Sequence, residues 1–184
     1  MNRITLKPFV RENLDILFVG LNPAVISNQK GHYFSVKQSF WNQLYKSGLI
    51  LKEVDKEYAD ECIFGDTVFN INQRNFGITD LVTNIANSNS TEVTPTINDC
   101  IQLERTILEY KPKVAIILHS KVLKIFIHKH LGLKKKYFSN CGNMGQLLRN
   151  SDTTFFNIAF PHGNAIPDAA KIERYKEVKE FILK

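Results

Sequence analysis

Two unbroken apolar runs limit what this chain can fold into. Ile16-Leu17-Phe18-Val19 and Val114-Ala115-Ile116-Ile117-Leu118 carry no polar residue on either side of a period-two alternation. A strand of that kind is buried on both faces, as in a parallel sheet sandwiched between helices. A third run, Thr154 to Phe160, and a short segment, Ile78-Thr79-Asp80-Leu81-Val82, supply further strands. Segments of helical period lie between them. One begins near Lys37, sets Phe40, Trp41, Leu44 and Tyr45 on one face, and stops at Gly48. A short helix is expected within 52–66, with Val54, Tyr58, Ala59 and Cys62 on one side. Thr96, with Asp99 three residues on, opens another helix that carries Ile97, Ile101, Leu103 and Leu108 and ends at Lys111-Pro112. The last two span about 120–131, with Val122, Leu123, Ile125, Phe126 and Ile127 inward, and about 168–183, with Ile172, Tyr175, Val178, Phe181 and Ile182 in one stripe. Residues 1–14 read as a leader, the polar stretch between Pro23 and Val36 and residues 84–95 as loops, and residues 134–150 as a connection. This order predicts an α/β fold: a single three-layer αβα domain over residues 1–184 with a central, mainly parallel four-stranded sheet.

Composition narrows the function classes. Hydrophobic residues at 43% and charged residues at 23% are globular values and argue against disorder. No apolar run approaches the ~20 residues of a membrane span, and the polar amino terminus has no signal-peptide core. Cys62, Cys100 and Cys141 are odd in number and far apart, so neither a disulfide framework nor a metal knuckle is indicated. A cytoplasmic monomer is the expectation. The charge is uneven. From Lys111 to Ser151 there is no Asp or Glu, and that window carries +9 while the rest of the chain sums to −3, for a net +6. A one-signed segment of this kind suits a polyanion-binding face; a solvated lysine-rich helix is the other reading.

The first strand runs into Gly20-Leu21-Asn22-Pro23. Gly20 permits a tight turn and Pro23 cannot continue a ladder, so Asn22 stands just past the strand's carboxyl end. His119 and His162 follow the middle and last strands and come to the same edge, where open α/β sheets bind ligands. The loop from Pro23 to Val36, with Tyr33 and Phe34 in it, is long for a βα connection, as functional loops often are. Phosphate-binding glycine motifs and a serine elbow are absent from the sequence. His128 and His130 point to different faces of a helix and form no metal set.

The clusters Val19-Gly20-Leu21-Asn22-Pro23, Gly31-His32-Tyr33-Phe34, Phe40-Trp41 and Ser47-Gly48-Leu49 resemble the first motif region of the uracil-DNA glycosylase superfamily, nearest its mismatch-specific uracil and thymine branch. The likeness continues through Gly77-Ile78-Thr79-Asp80-Leu81-Val82 and Leu108-Glu109-Tyr110-Lys111-Pro112 to a Pro-x-Gly loop at 161–163. It implies a metal-free, cofactor-free DNA glycosylase that hydrolyses the bond between a flipped base and its sugar. In that scheme Asn22 positions the attacking water. Gly20, Leu21 and Pro23 shape a turn whose N–H groups meet a pyrimidine oxygen. Phe34, with Tyr33 as runner-up, stacks on the extruded base. Loop 161–166, with Gly163 and Asn164, enters the helix. His162 donates to the base or a phosphate, or caps its own loop. Lys121 and the lysine window hold phosphates. The chain departs from the pattern at Ala24, where the family usually has glycine, at 36–39, and at Asn164, which brings little apolar area to a wedge.

Elementary chemistry supports the same roles. Flipping a base costs a few kcal/mol, and a stacking aromatic returns about 1–3 kcal/mol. An Asn amide takes no proton near neutral pH, so it orients water rather than acting as a base, and the reaction leans on stabilising the departing base. Two other classes fit the residues: a DNA- or nucleotide-binding module without chemistry, and a small-molecule nucleoside hydrolase.

Overall fold

The computed structural model describes residues 4–133 and 142–184. Five strands form one sheet: β1 (Ile16–Gly20), β2 (Phe76–Asp80), β3 (Val114–Ile117), β4 (Gly142–Gln146) and β5 (Thr154–Asn157). Their spatial order is β2-β1-β3-β5-β4. β1 pairs in parallel with β2 and β3, and β3 with β5. β4 is antiparallel to β5, with an irregularity between Asn143 and Gly145. The expected α/β architecture with a mainly parallel sheet is therefore present, and the sheet has one strand more than the four expected. Gly142-Asn143-Met144-Gly145-Gln146 has no apolar alternation, so it reads as a connection until its pairing with β5 is seen.

Alternation along the buried strands sorts side chains into two cores. Ile16, Phe18, Ile116 and Phe156 face α2 (Ser39–Ser47), α3 (Ala59–Ile63) and α6 (Asp168–Leu183), where Phe40, Trp41, Ile63 and Tyr175 meet them. Leu17, Val19, Ala115, Ile117 and Phe155 face α4 (Ile97–Tyr110) and the helix after β3, where Leu103, Ile107, Phe126 and Ile127 meet them. That helix, α5, begins as one α-turn (Ser120–Val122) and runs on in π geometry (Leu123–His130). Each fully buried Leu, Ile, Val or Phe contributes about 1.5–3 kcal/mol, so the sheet is held firmly from both sides.

Local signals explain most boundaries. Gly48 ends α2 in the left-handed conformation at φ 75°, which glycine adopts without strain. Thr96 and Asp99 form a reciprocal capping box: the Asp99 N–H donates to Thr96 Oγ1, and the Thr96 N–H to Asp99 Oδ2 at 2.6 Å. Other expectations are corrected. The loop after Pro23 contains a helix, α1 (Val25–Lys30), whose buried residues Ser27 and Asn28 are polar and so give no apolar stripe. Helix α3 is confined to five residues, and Tyr58 before it is exposed. Ile97 is 61% exposed, and Cys100 and Ile107 join Leu103 in the buried face of α4. Lys134, Lys135, Lys136 and Cys141 lie outside the described residues.

The amino-terminal segment covers the open edge of β2. Phe9 and Ile78 exchange two backbone hydrogen bonds, each 2.9 Å. Gly77 makes this approach feasible, because a Cβ there would stand 2.4 Å from the Phe9 carbonyl oxygen. At the opposite end of the sheet from the Asn22 turn, Asp15 accepts from Arg74 Nη1 at 2.8 Å, the Asn75 N–H at 2.8 Å and Lys113 Nζ at 2.9 Å. Burial raises its pKa, but these donors together outweigh that and hold it below the ordinary carboxylate value. Gly77→Ala is expected to unseat the Phe9 pairing and lower stability by about 1–3 kcal/mol. Urea denaturation measures the loss, and hydrogen exchange at the Phe9 amide should accelerate; unchanged exchange there would refute the role given to Gly77.

Candidate active site

The chain passes from β1 out to β2 and then across to β3, so strand order reverses between β1 and β3. A cavity of about 820 Å³ opens beyond the carboxyl ends of these strands, the expected place for a ligand in such a sheet and within the range of small-molecule pockets. Gly20, Leu21, Asn22, Pro23, Tyr33, Phe34, His162, Gly163 and Asn164 all line it, together with His119. Of the residues assigned to the site from sequence, Lys121 alone is not on its wall.

Asn22 is held by its donor end. Its Nδ2 donates to the Pro23 carbonyl at 2.9 Å and to the Asn87 carbonyl at 2.8 Å. Two acceptors on one nitrogen fix which way the amide faces. Among the described residues nothing donates to Oδ1, which is left as an acceptor on a half-buried residue at the cavity wall. The turn-satisfying role of Asn22 and its availability to water are thus both present, divided between the two ends of one amide. The 84–93 loop that supplies Asn87 is itself stapled to the turn: the Asn87 N–H donates to the Pro23 carbonyl at 2.9 Å and the Val25 N–H to Ser88 Oγ at 3.1 Å.

Lys121 has a different task from the phosphate contact expected of it. Its ammonium donates to the carbonyls of Ser90 (2.5 Å), Val93 (2.7 Å) and Thr91 (3.1 Å), so its three protons anchor the loop that holds Asn22. Among the described residues of the basic window, the lysines do not share one surface. Lys113 is spent on Asp15 at the far end of the sheet, whereas Lys124 and Lys129 are exposed on α5. Among the described residues, the lysine on the cavity wall is Lys37, which is exposed.

The aromatic wall is built from the loop before α2. Asp60 is fully buried and accepts from the Tyr33 N–H at 2.8 Å and pairs with His32 Nδ1 at 3.0 Å. Phe34, half-buried, stacks on Phe40 with centroids 4.1 Å apart, and its carbonyl accepts from Trp41 Nε1 at 3.3 Å. Phe40 and Trp41 are core, as expected. Phe34 has φ +50°, and Ala159, also on the cavity wall, has φ +89°. Both are conformations that side chains rarely adopt, and such strain concentrates at functional sites.

The adjoining wall is the loop after β5, whose Phe160 ring centroid lies 6.1 Å from that of Phe34. Gln43 Nε2 and the buried Lys171 Nζ both donate to the Pro161 carbonyl, at 2.9 and 3.1 Å. His162 Nδ1 lies 3.3 Å from Ser39 Oγ, and burial, then Lys37 and Lys171, lowers its pKa, which favours a neutral ring. His119 Nδ1 accepts from the Lys121 N–H at 3.0 Å, which places the proton of the neutral ring on Nε2; burial, then Lys121, lowers its pKa too. Asn164 spends its amide on its own loop: Nδ2 donates to the Phe160 and His162 carbonyls at 2.7 and 3.3 Å, and Oδ1 accepts from the Ile166 N–H at 3.1 Å. The apolar groups at the rim are instead Ile26, Val36 and Ile166, the first two 47% and 45% exposed. Nothing in the sequence marks them except apolar residues in otherwise polar loops.

Asp80 ends β2 beside Gly20 and is 7% exposed. Its Oδ1 lies so close that a Cβ on Gly20 would stand 2.2 Å from it. Burial raises its pKa to about 7, with the Tyr33 phenol pulling the other way. Among the described residues, no three His, Cys, Asp or Glu side chains come together as a metal-binding group, and no helix is long and apolar enough to cross a membrane.

The family model described as the uracil DNA glycosylase superfamily matches residues 7–181. The chain belongs to this superfamily. The match spans every described strand and helix except the last residues of α6, so the cavity and all its walls fall within the superfamily fold. A comparison with curated proteins finds no match.

Asp80 gives a pH signature. Between about pH 4 and pH 7 the folded protein keeps a proton that the unfolded chain has released. Stability therefore falls as pH rises through that window, by up to about 4 kcal/mol. Asp80→Asn removes this dependence, so its stability relative to wild type should rise between pH 4 and pH 7 and level off above. Urea denaturation across pH 4–8 tests this, and a constant difference would refute it.

Proposed function

We propose that this member of the superfamily is a monofunctional DNA glycosylase that hydrolyses the N-glycosidic bond of a flipped uracil-like, mismatched or modified base and leaves an abasic site. The observation that carries the reading is the Asn22 amide, anchored through Nδ2 with Oδ1 at the wall of a cavity large enough for a base. A water accepted by Oδ1 is oriented toward C1′ of a nucleotide lodged in the cavity, and pre-orientation of that kind removes several kcal/mol from a barrier. Phe34, backed by Phe40, offers a ring to the base. The Nε2–H of His119 and the neutral ring of His162 are donors for a phosphate or for charge developing on the departing base. Lys37 at the mouth meets the phosphate backbone, and Ile26, Val36 and Ile166 supply the apolar area that replaces lost base stacking. By motif the chain resembles the mismatch-specific branch.

Labelled oligonucleotides carrying a panel of uracil-like, mismatched and modified bases, single- and double-stranded, test the reading. Wild-type protein is expected to excise at least one, and Asn22→Ala to lose about 10²-fold or more in rate with its far-ultraviolet spectrum retained. Salt-dependent DNA binding without excision, and unaffected by Asn22→Ala, would instead identify a binding module.

The two lysines separate cleanly. Lys37→Met should reduce the salt slope of DNA binding by about 1. Lys121→Met should leave that slope unchanged but lower both stability and excision, because the Asn87 loop loses its anchor. A reduced slope for Lys121→Met would restore it as a phosphate contact.

A further inference from the structure

Helix α6 holds the chain at the point where it leaves the sheet. At Ile158 the segment is still bonded to β3, its N–H donating to the Ile117 carbonyl at 3.2 Å. Arg174 Nη1 donates to the carbonyl of that same Ile158 at 2.5 Å, and Lys171 Nζ donates to the Pro161 carbonyl at 3.1 Å. The two cations stand three residues apart on one face of α6, and the carbonyls they hold are three residues apart in Ile158-Ala159-Phe160-Pro161. Between the two bonds stands Ala159, at φ +89°. Phe160 follows, its ring centroid 5.9 Å from that of His119, 4.9 Å from His162 and 6.1 Å from Phe34. Lys171 is 1% exposed, and a buried ammonium is no more stabilising than a well-packed apolar side chain of its size. What it supplies beyond packing is its hold on one carbonyl. Its counter-charge, the exposed Asp168, stands at 3.6 Å and is shared with Gln43 Nε2 at 3.0 Å. Gln43 repeats the hold from α2, through Nε2 to the Pro161 carbonyl at 2.9 Å. A left-handed alanine persists only where its surroundings over-determine it, and bonds at both ends of 158–161 do so.

Resting on the base-removal reading above, we propose that Lys171 and Arg174 are positioning residues, a two-point clamp from α6 that forces Ala159 into its left-handed turn and so sets Phe160 and His162 beside His119 and Phe34 on the cavity wall. Neither cation lines the cavity; each acts through the main chain it holds. The clamp governs the chemical step more than DNA affinity, because it places the groups around a bound base, whereas the phosphate contact proposed above belongs to Lys37. With the clamp released, Ala159 relaxes and the wall shifts, and a misplacement of about 1 Å at a reacting centre lowers the rate by about 10²-fold.

The first test needs no substrate. Ala159→Gly is made in wild type and in the Lys171→Met, Arg174→Met double variant, and folding equilibrium constants are read from urea denaturation. Glycine should favour folding at least about fivefold more in wild type than in the double variant, since only the clamped chain carries the strain that glycine relieves. The comparison cancels the effect of glycine on the unfolded chain. Equal effects in the two backgrounds would overturn the proposal. The second test uses the oligonucleotide whose base wild type removes fastest in the panel above. The double variant should lose about tenfold or more in single-turnover rate, while in the Asn22→Ala background its Kd for that oligonucleotide rises less than about threefold. Val178→Ala, buried on the same helix and absent from the cavity wall, should lower stability and leave the rate of the folded protein unchanged. A double variant no slower than Val178→Ala, or a loss confined to Kd, would make the two cations merely structural and overturn the proposal. If wild type removes no base, the base-removal reading fails, and the Ala159→Gly comparison still decides the clamp. If the double variant does not fold, Arg174→Met alone, at a half-buried position, takes its place in both tests.

Discussion

The site depends on a side chain pinned by its donor end, which leaves its acceptor end at the cavity wall. An Asn before Pro ordinarily closes a local turn. Here Asn22 gives its NH₂ to two carbonyls, one adjacent and one sixty-five residues away. That long reach couples the turn after β1 to the loop after β2, and Lys121 couples the same loop to the start of α5. Three strand ends are thereby cross-braced around one oxygen. The bracing uses backbone carbonyls, which do not change with sequence, so the orientation of the amide is set by chain path rather than by a set of co-adapted side chains.

Much of the fold was legible because it is written in burial. β1, β3 and β5 announce themselves as apolar runs, and Gly48 and Thr96 mark helix boundaries by conformations or bonds that few residues supply. β4 was not legible, since a glycine-rich strand at an edge owes its existence to its neighbour's hydrogen bonds. α1 was hidden because Asn28 is buried to bind the Thr5 and Leu6 N–H groups, not to fill a core. In the site, Asn22, Phe34 and His162 were found by position in the chain. The tasks of Lys121 and Asn164 were not, because both are spent on main-chain atoms that only the folded path brings near. A signal for Asp80 was present: an acid in the last place of an apolar strand has to be paired, neutral or functional.

The superfamily fold supplies a cavity, a turn and two loops, and this chain fits them with its own groups. The loop after β5 carries no bulky residue at 164, and its amide closes the loop on itself. Apolar area on the cavity wall comes instead from Ile26, Val36 and Ile166, which belong to three separate segments. Among the described residues, charge on the cavity wall is arranged likewise: an exposed lysine, histidines whose burial favours the neutral ring, and a buried carboxyl.

The left-handed backbone at Phe34 and Ala159 has a consequence for how the protein can change. Each conformation costs of order 1 kcal/mol or more, and glycine at either codon would relieve it. Selection for heat tolerance alone would therefore drift toward glycine there, loosening the two cavity walls as it hardened the whole. At these two positions durability and cavity shape pull against each other, so the side chains found there record which of the two demands has prevailed.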